Sequence, residues 1–136
     1  MNFREGDGYY VNRHSCFLLQ YHLVLVTKYR HRVMTGDIAD AMKGYVGKFF
    51  EDRRLVIHAL EVQPDHLHVK FDAPPQLELA TFVNSLKSAS SRRIRSDFPK
   101  EIGKFYWKPV FWSLSYFVCT VSDRSASVVK HYIESQ

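Results

Sequence analysis

Two apolar runs joined by a single tight turn constrain this chain more than anything else in it. His66 to Asp72 alternates with a period of two: Leu67, Val69 and Phe71 face one way, and His66, His68 and Lys70 the other. Leu55 to Gln63 reads as the preceding strand, and Pro64-Asp65 between them is a turn signal. So short a connection predicts an antiparallel hairpin. One side of its second strand is apolar and belongs to a core. The other side carries two imidazoles and belongs elsewhere.

The remaining elements fall around that hairpin. Cys16 to Lys28 reads as a long strand, followed by a basic connector, Tyr29 to Thr35. A helix is predicted from about Asp37 to Asp52, with Ile38, Met42, Tyr45, Val46, Phe49 and Phe50 recurring at spacings of three and four. Pro74-Pro75 breaks the chain, and a second helix is predicted from about Leu77 to Ser96, with Leu79, Phe82, Val83 and Leu86 on its early apolar face. Phe98 to Pro109 reads as an irregular basic loop and Val110 to Val121 as a fourth strand. Ser122 or Asp123 is placed to cap a final helix, Arg124 to Gln136. The order β-α-β-β-α-β plus a terminal helix predicts an α+β, ferredoxin-like (RRM-like) antiparallel sheet. Two helices would cover one sheet face and leave the other free for a ligand. Met1 to Ser15, polar and with paired tyrosines, is expected to be an extension that drapes over the domain or a partner. Residues 16–136 form the single domain.

Composition narrows the function classes. A chain of 136 residues, 46% of them hydrophobic, supports one packed core and argues against global disorder. Nineteen Lys plus Arg against fourteen Asp plus Glu leave a formal charge of +5, compatible with a polyanionic partner without requiring one. Cys16 and Cys119 both sit in apolar stretches and read as buried free thiols of a reducing cytoplasm, though a disulfide is not excluded by the sequence. Met1 to Gly8 lacks the apolar core of a signal peptide. Cys16 to Val26 is interrupted by Gln20 and His22 and falls short of the roughly 20 residues that cross a bilayer. A cytoplasmic protein with no membrane partner is expected.

His66 and His68 would stand side by side on one sheet face, roughly 6–7 Å apart at the backbone, so that their nitrogens can converge on one ion. The triplet is weak evidence alone, since two ordinary surface histidines would read the same. A structural zinc site is disfavoured, because no Cys-x-x-Cys partner accompanies them. Val129, Tyr132, Ile133 and Gln136 lie at i, i+3, i+4 and i+7 of the last helix and form one stripe. Tyr132 as a core aromatic is the plain reading. Gln136 fits it less well, because an amide on an apolar stripe wants a polar partner. A metal ion on the two imidazoles would supply one. It would also polarise a phosphate for attack by the phenol, storing bond energy in a phosphotyrosine that a second strand end can reverse.

Pro64-Asp65-His66-Leu67-His68, with Val69-Lys70-Phe71 behind it, resembles the His-hydrophobic-His motif of HUH endonucleases. Its spacing to Tyr132-Ile133-Glu134-Ser135-Gln136 is similar to that in single-tyrosine transposases of small bacterial insertion sequences and their domesticated, palindrome-processing relatives. Tyr21-His22-Leu23-Val24 through Lys28-Tyr29-Arg30 looks like that family's first strand and basic turn. Phe82 to Lys87 with Ser90-Ser91-Arg92-Arg93 looks like its second helix, and Trp107 through Tyr116 like its aromatic segment. The likeness covers residues 16 to 136. It implies that Tyr132 is the nucleophile, forming a 5′-phosphotyrosine on single-stranded DNA, and that His66, His68 and Gln136 bind Mg²⁺ or Mn²⁺. It implies a homodimer in which the terminal helix can complete the partner's site. The implied substrates are DNA hairpins at transposon ends.

Three basic clusters are candidate DNA contacts. Lys28, Arg30, His31 and Arg32 follow the first strand. Lys87, Arg92, Arg93 and Arg95 lie among serines of the second helix, and Lys100, Lys104 and Lys108 interleave with Tyr106 and Trp107. Each alone also reads as a solvated basic face. The alternative function is a non-enzymatic RRM-like module, but the third strand carries histidines where stacking rings are expected. Another HUH nuclease, such as a replication initiator or relaxase, fits the tyrosine placement less well.

Overall fold

The computed structural model describes residues 2–4, 9–11, 16–122 and 124–136. Strands β1 (Asn2–Arg4), β2 (Tyr9–Val11) and β3 (Cys16–Phe17) form a small antiparallel sheet. The main sheet contains β4 (Leu19–Thr27), β5 (Ile57–Gln63), β6 (His66–Ala73) and β7 (Trp112–Thr120) in the order β5-β6-β4-β7, all antiparallel. Helices α1 (Gly36–Asp52), α2 (Leu79–Asp97), α3 (Pro99–Gly103) and α4 (Ser125–Ser135) complete the chain. This is the ferredoxin-like order read from the sequence.

The long first strand is divided at Leu18, so that Cys16–Phe17 pairs with the N-terminal sheet and only Leu19 onward enters the main one. The predicted irregular loop contains α3, which Pro99 starts, its missing N–H costing nothing at a first helical turn. Asp123 lies outside the described residues. Ser122 supports the start of α4 instead, accepting the Arg124 N–H on its hydroxyl at 3.3 Å.

The alternation of β6 is observed as expected: Leu67, Val69 and Phe71 are fully buried, with His66, His68 and Lys70 half-buried on the opposite face. On the apolar face Phe50, Phe71 and Phe82 pack with centroids 5.0–5.6 Å apart. Met42, Val46, Val83 and Leu86 of α1 and α2 join them around Leu23 and Leu25 of β4. Each such side chain contributes roughly 1.5–3 kcal/mol on burial. The opposite face is not free, contrary to expectation. Val129 of α4 packs on Val24 and Val26 of β4, with Phe117, Cys119, Tyr132 and Ile133 around them. The apolar stripe of an amphipathic terminal helix needs an apolar seat, and these side chains provide it. Cys119 is a free thiol, its pKa raised by burial.

The N-terminal sheet is pinned through Asp72, which is buried. Gln20 Nε2 donates to its Oδ1 at 2.9 Å, His58 Nε2 lies 2.8 Å from the same oxygen, and the Tyr10 hydroxyl donates to Oδ2. Tyr10, within the expected extension, is thereby held to the main sheet. No helix is long and apolar enough to cross a membrane among the described residues.

Candidate active site

The first residue of β6 is His66, placed directly after the Asp65 turn. In the ladder with β4, Val26 is opposite His66 and Val24 is opposite His68. Directly paired residues share a face, and these two valines form the seat of α4. Both imidazoles therefore flank α4 rather than standing on open surface.

His66 is held by the residue before it. Its Nδ1 lies 2.8 Å from Asp65 Oδ1, and the other carboxylate oxygen accepts from Arg30 Nε at 2.7 Å. Burial works to raise the Asp65 pKa. The hydrogen bonds from His66 and Arg30 outweigh it and keep the carboxyl below its ordinary range. The anion fixes the His66 tautomer: Nδ1–H donates, and Nε2 presents the open lone pair.

His68 has a partner that the sequence reading missed. Its Nε2 lies 2.8 Å from His22 Nδ1, the two rings stack at 5.0 Å, and His22 Nε2 lies 3.1 Å from Ser125 Oγ. The Ser125 hydroxyl donates to the Ser122 carbonyl at 2.9 Å, so towards His22 it accepts. That assigns the protons: His22 carries one on Nε2, and His68 Nε2 donates to His22 Nδ1. The lone pair of His68 is then on Nδ1. Burial, followed by the charge of His68 and Lys70, lowers the His22 pKa. Burial lowers that of His68 too, against the pull of Glu61. Both rings are thereby kept in the neutral form that ligates metals.

Tyr132 stacks on Phe117 at 4.8 Å and 26°. Its hydroxyl is buried and has no hydrogen-bond partner among the described residues. Gln136 follows α4 and is exposed, and its main-chain carbonyl accepts from Arg30 Nη1. Arg30 thus connects the carboxylate that holds His66 to the end of the helix that carries Tyr132. Among the described residues no group of three or more His, Cys, Asp or Glu is placed to hold a metal. A cation here would depend on two imidazoles completed by oxygen donors.

The profile of the family described as Transposase IS200 like matches residues 15–136. The chain belongs to the IS200-like transposase family. It is 35% identical to the ISDra2 transposase TnpA of Deinococcus radiodurans, over 100% of this chain and 92% of that one. It is 28% identical to the IS200 transposase of Salmonella typhimurium, over 89% of this chain and 81% of that one. A crystal structure of a protein from Deinococcus radiodurans R1, described as a transposase, superposes with a TM-score of 0.85 at 38% identity, covering 93% of this chain and 97% of the other. A REP-associated tyrosine transposase bound to a REP hairpin shares the fold alone, with a TM-score of 0.58 at 11% identity over 88% and 68% of the two chains.

The basic residues of this transposase separate into two groups. Lys28, Arg30 and Lys108 gather at the end of β4 with Tyr29 and Trp107. Lys87 belongs to α2 and reaches over to β7: its Nζ donates to the Leu114 carbonyl at 3.0 Å and lies 5.9 Å from the Tyr116 ring centre. Burial and then the charge of Lys28 lower its pKa. Arg32 is exposed just beyond. Arg92 and Arg93 sit on α2, in the helical layer, and are not brought to the histidines. Arg93 is engaged there with Asp97 at 3.2 Å and over the Tyr45 ring. His22 and Asp65 are the site residues that spacing did not reveal. One available signal was parity, since His22, Val24 and Val26 alternate with Leu23 and Leu25 and so share the polar face.

Proposed function

We propose that this transposase cuts and rejoins single-stranded DNA through Tyr132, assisted by Mg²⁺ or Mn²⁺ held by His66, His68 and Gln136. The observation that carries this reading is the clamp on His66. Asp65 and Arg30 fix the ring by one nitrogen and leave the other open, on the face that α4 covers with Tyr132. Imidazoles are borderline ligands, so Mg²⁺ or Mn²⁺ here would take the rest of its shell from oxygens: the Gln136 amide, water and phosphate. When bound, the cation supplies charge stabilisation at the phosphate.

The chain's own residues do the rest. Tyr132 Oη attacks phosphorus, the bond to the 3′ oxygen breaks, and that oxygen leaves as a hydroxyl carrying the proton the phenol gives up. The product is a 5′-phosphotyrosine, and attack by another 3′ hydroxyl reverses the step and restores the phenol. The phenol needs a displacement first, because its hydroxyl rests in an apolar seat. The seat involves few side chains, which suits a helix that shifts or exchanges with that of a second copy in a homodimer. Hairpin DNA at transposon ends is the proposed substrate. The hairpin-bound relative of the same fold supports that choice.

Incubation with hairpin DNA bearing single-stranded flanks and Mn²⁺, followed by a denaturing gel, tests the reading. A covalent protein–DNA band is expected from the native chain, absent with a chelator and absent in Tyr132→Phe. An undiminished band in Tyr132→Phe, or tight binding with no band at all, overturns it.

A further inference from the structure

The turn leaving β4 holds two consecutive non-glycine residues in the left-handed region, Tyr29 at φ 58° and Arg30 at φ 56°. Side-chain-bearing residues rarely adopt it, and such outliers persist where the surroundings impose them, often at functional sites. The two side chains have different destinations. Arg30 reaches Asp65 and the Gln136 carbonyl, at the reaction centre. Tyr29 stays 76% exposed and lines a cleft of about 490 Å³ beside Trp107, which is 87% exposed.

Two large rings left in water need a reason. Each already has a lysine above it: Lys28 Nζ is 5.3 Å from the Tyr29 centroid and Lys108 Nζ is 4.8 Å from that of Trp107. Behind them the surface is aromatic too, with His31 lying 5.8 Å from Tyr29, 5.8 Å from Phe105 and 5.4 Å from the buried Tyr106. The Tyr106 hydroxyl donates to the Lys28 carbonyl at 2.7 Å, which holds the turn against this aromatic floor.

We propose that the cleft binds one unpaired nucleobase of the strand being cut, stacked against Tyr29 and Trp107, with its flanking phosphates on Lys28 and Lys108. Exposed rings paired with cations suit a flat base on a charged backbone, and stacking accepts any base. A duplex does not offer such a base without flipping it out. The inference rests on the single-stranded DNA reading above and adds to it a strand path. Because Tyr29 and Arg30 are adjacent, a base seated in the cleft fixes the same turn that sets Arg30 on the carboxylate holding His66.

The test uses the full chain in a chelator, so that no cutting occurs. Fluorescein-labelled short oligothymidylate, the same strand made abasic, and a blunt duplex are titrated in turn. Trp107 emission is expected to quench with the base-bearing strand alone, with Trp107→Phe as the control for buried Trp112. Trp107→Ala, and Tyr29→Gly, which removes the ring while suiting the left-handed backbone, should each weaken binding of the base-bearing strand roughly five- to hundredfold. Affinity for the abasic strand should not change. Equal affinity of the variants and native chain for oligothymidylate overturns the proposal, as does an equal loss for the abasic strand. A Tyr132-linked band that survives such a result leaves the enzyme reading standing. Base-dependent binding without any band removes the enzyme reading and leaves the cleft.

Discussion

The two faces of one sheet obey different rules. Towards α1 and α2, the sheet presents Leu23, Leu25, Leu67, Val69 and Phe71, all fully buried and all apolar. Towards α4 it presents Val24 and Val26 among three histidines and a half-buried thiol, and α4 adds a phenol that has no hydrogen-bond partner among the described residues. Strand parity generates both faces from the same residues in alternation. The first face is a core in which every contact supports the fold. The second is covered by one eleven-residue helix, and its polar groups are tied into hydrogen-bonded chains. A polar network can therefore be placed directly behind a stable core without sharing side chains with it.

Substitutions on each face sharpen that contrast. Phe71→Ala should remove about 3–5 kcal/mol, the range for truncating a buried aromatic, read as a lower denaturant midpoint. A loss below about 1 kcal/mol would mean that the apolar face is not the core it resembles. His68→Ala deletes one hydrogen bond, to His22, and should cost only about 1 kcal/mol. It should at the same time eliminate calorimetric Mn²⁺ binding and the covalent band while leaving hairpin binding intact. Wholesale unfolding would show that the second face also supports the core. Tyr132→Phe removes a buried hydroxyl with no hydrogen-bond partner among the described residues, so stability should stay level or rise by about 1 kcal/mol while the covalent band should disappear. A marked fall in melting temperature would place a partner on that oxygen.

The smallest effect concerns pH. Burial depresses His22 and His68 from their ordinary value of 6.5, so as pH drops past that value the unfolded chain takes up protons first. Their support is complete above pH 6.5 and declines below it, towards the depressed native values. Melting scans from pH 7.5 to 5.5 should show a decline that His68→Ala reduces. An identical slope in that variant would assign the decline to groups on the other face.

Much of the first face was legible in the sequence, because hydrophobic periodicity records burial directly. The α1 stripe, the β6 alternation and the hairpin at Pro64-Asp65 all follow from it. Much of the second face was not. Asp65 read as a turn residue because nothing local shows that Arg30, 35 positions away, reaches it. His22 read as an interruption of an apolar strand, because its partners His68 and Ser125 are brought to it by pairing and helix docking. Coverage by α4 was missed for the same reason: the stripe on that helix shows that it must dock, and not where. Polar networks join residues that share no period, whereas cores join residues that do.

Thr27 ties the end of β4 to its surroundings. It is fully buried, its hydroxyl donates to the His31 carbonyl at 2.7 Å and reaches the Asp65 carbonyl at 3.2 Å, and its amide donates to that same Asp65 oxygen at 3.0 Å. The aromatic turn and the corner that launches the histidine strand are thereby fastened to one residue. Lengthening either loop by one amino acid would throw both out of alignment together. The exposed Trp107-Lys108 rim lies outside this junction, so a side chain there can be exchanged without disturbing it.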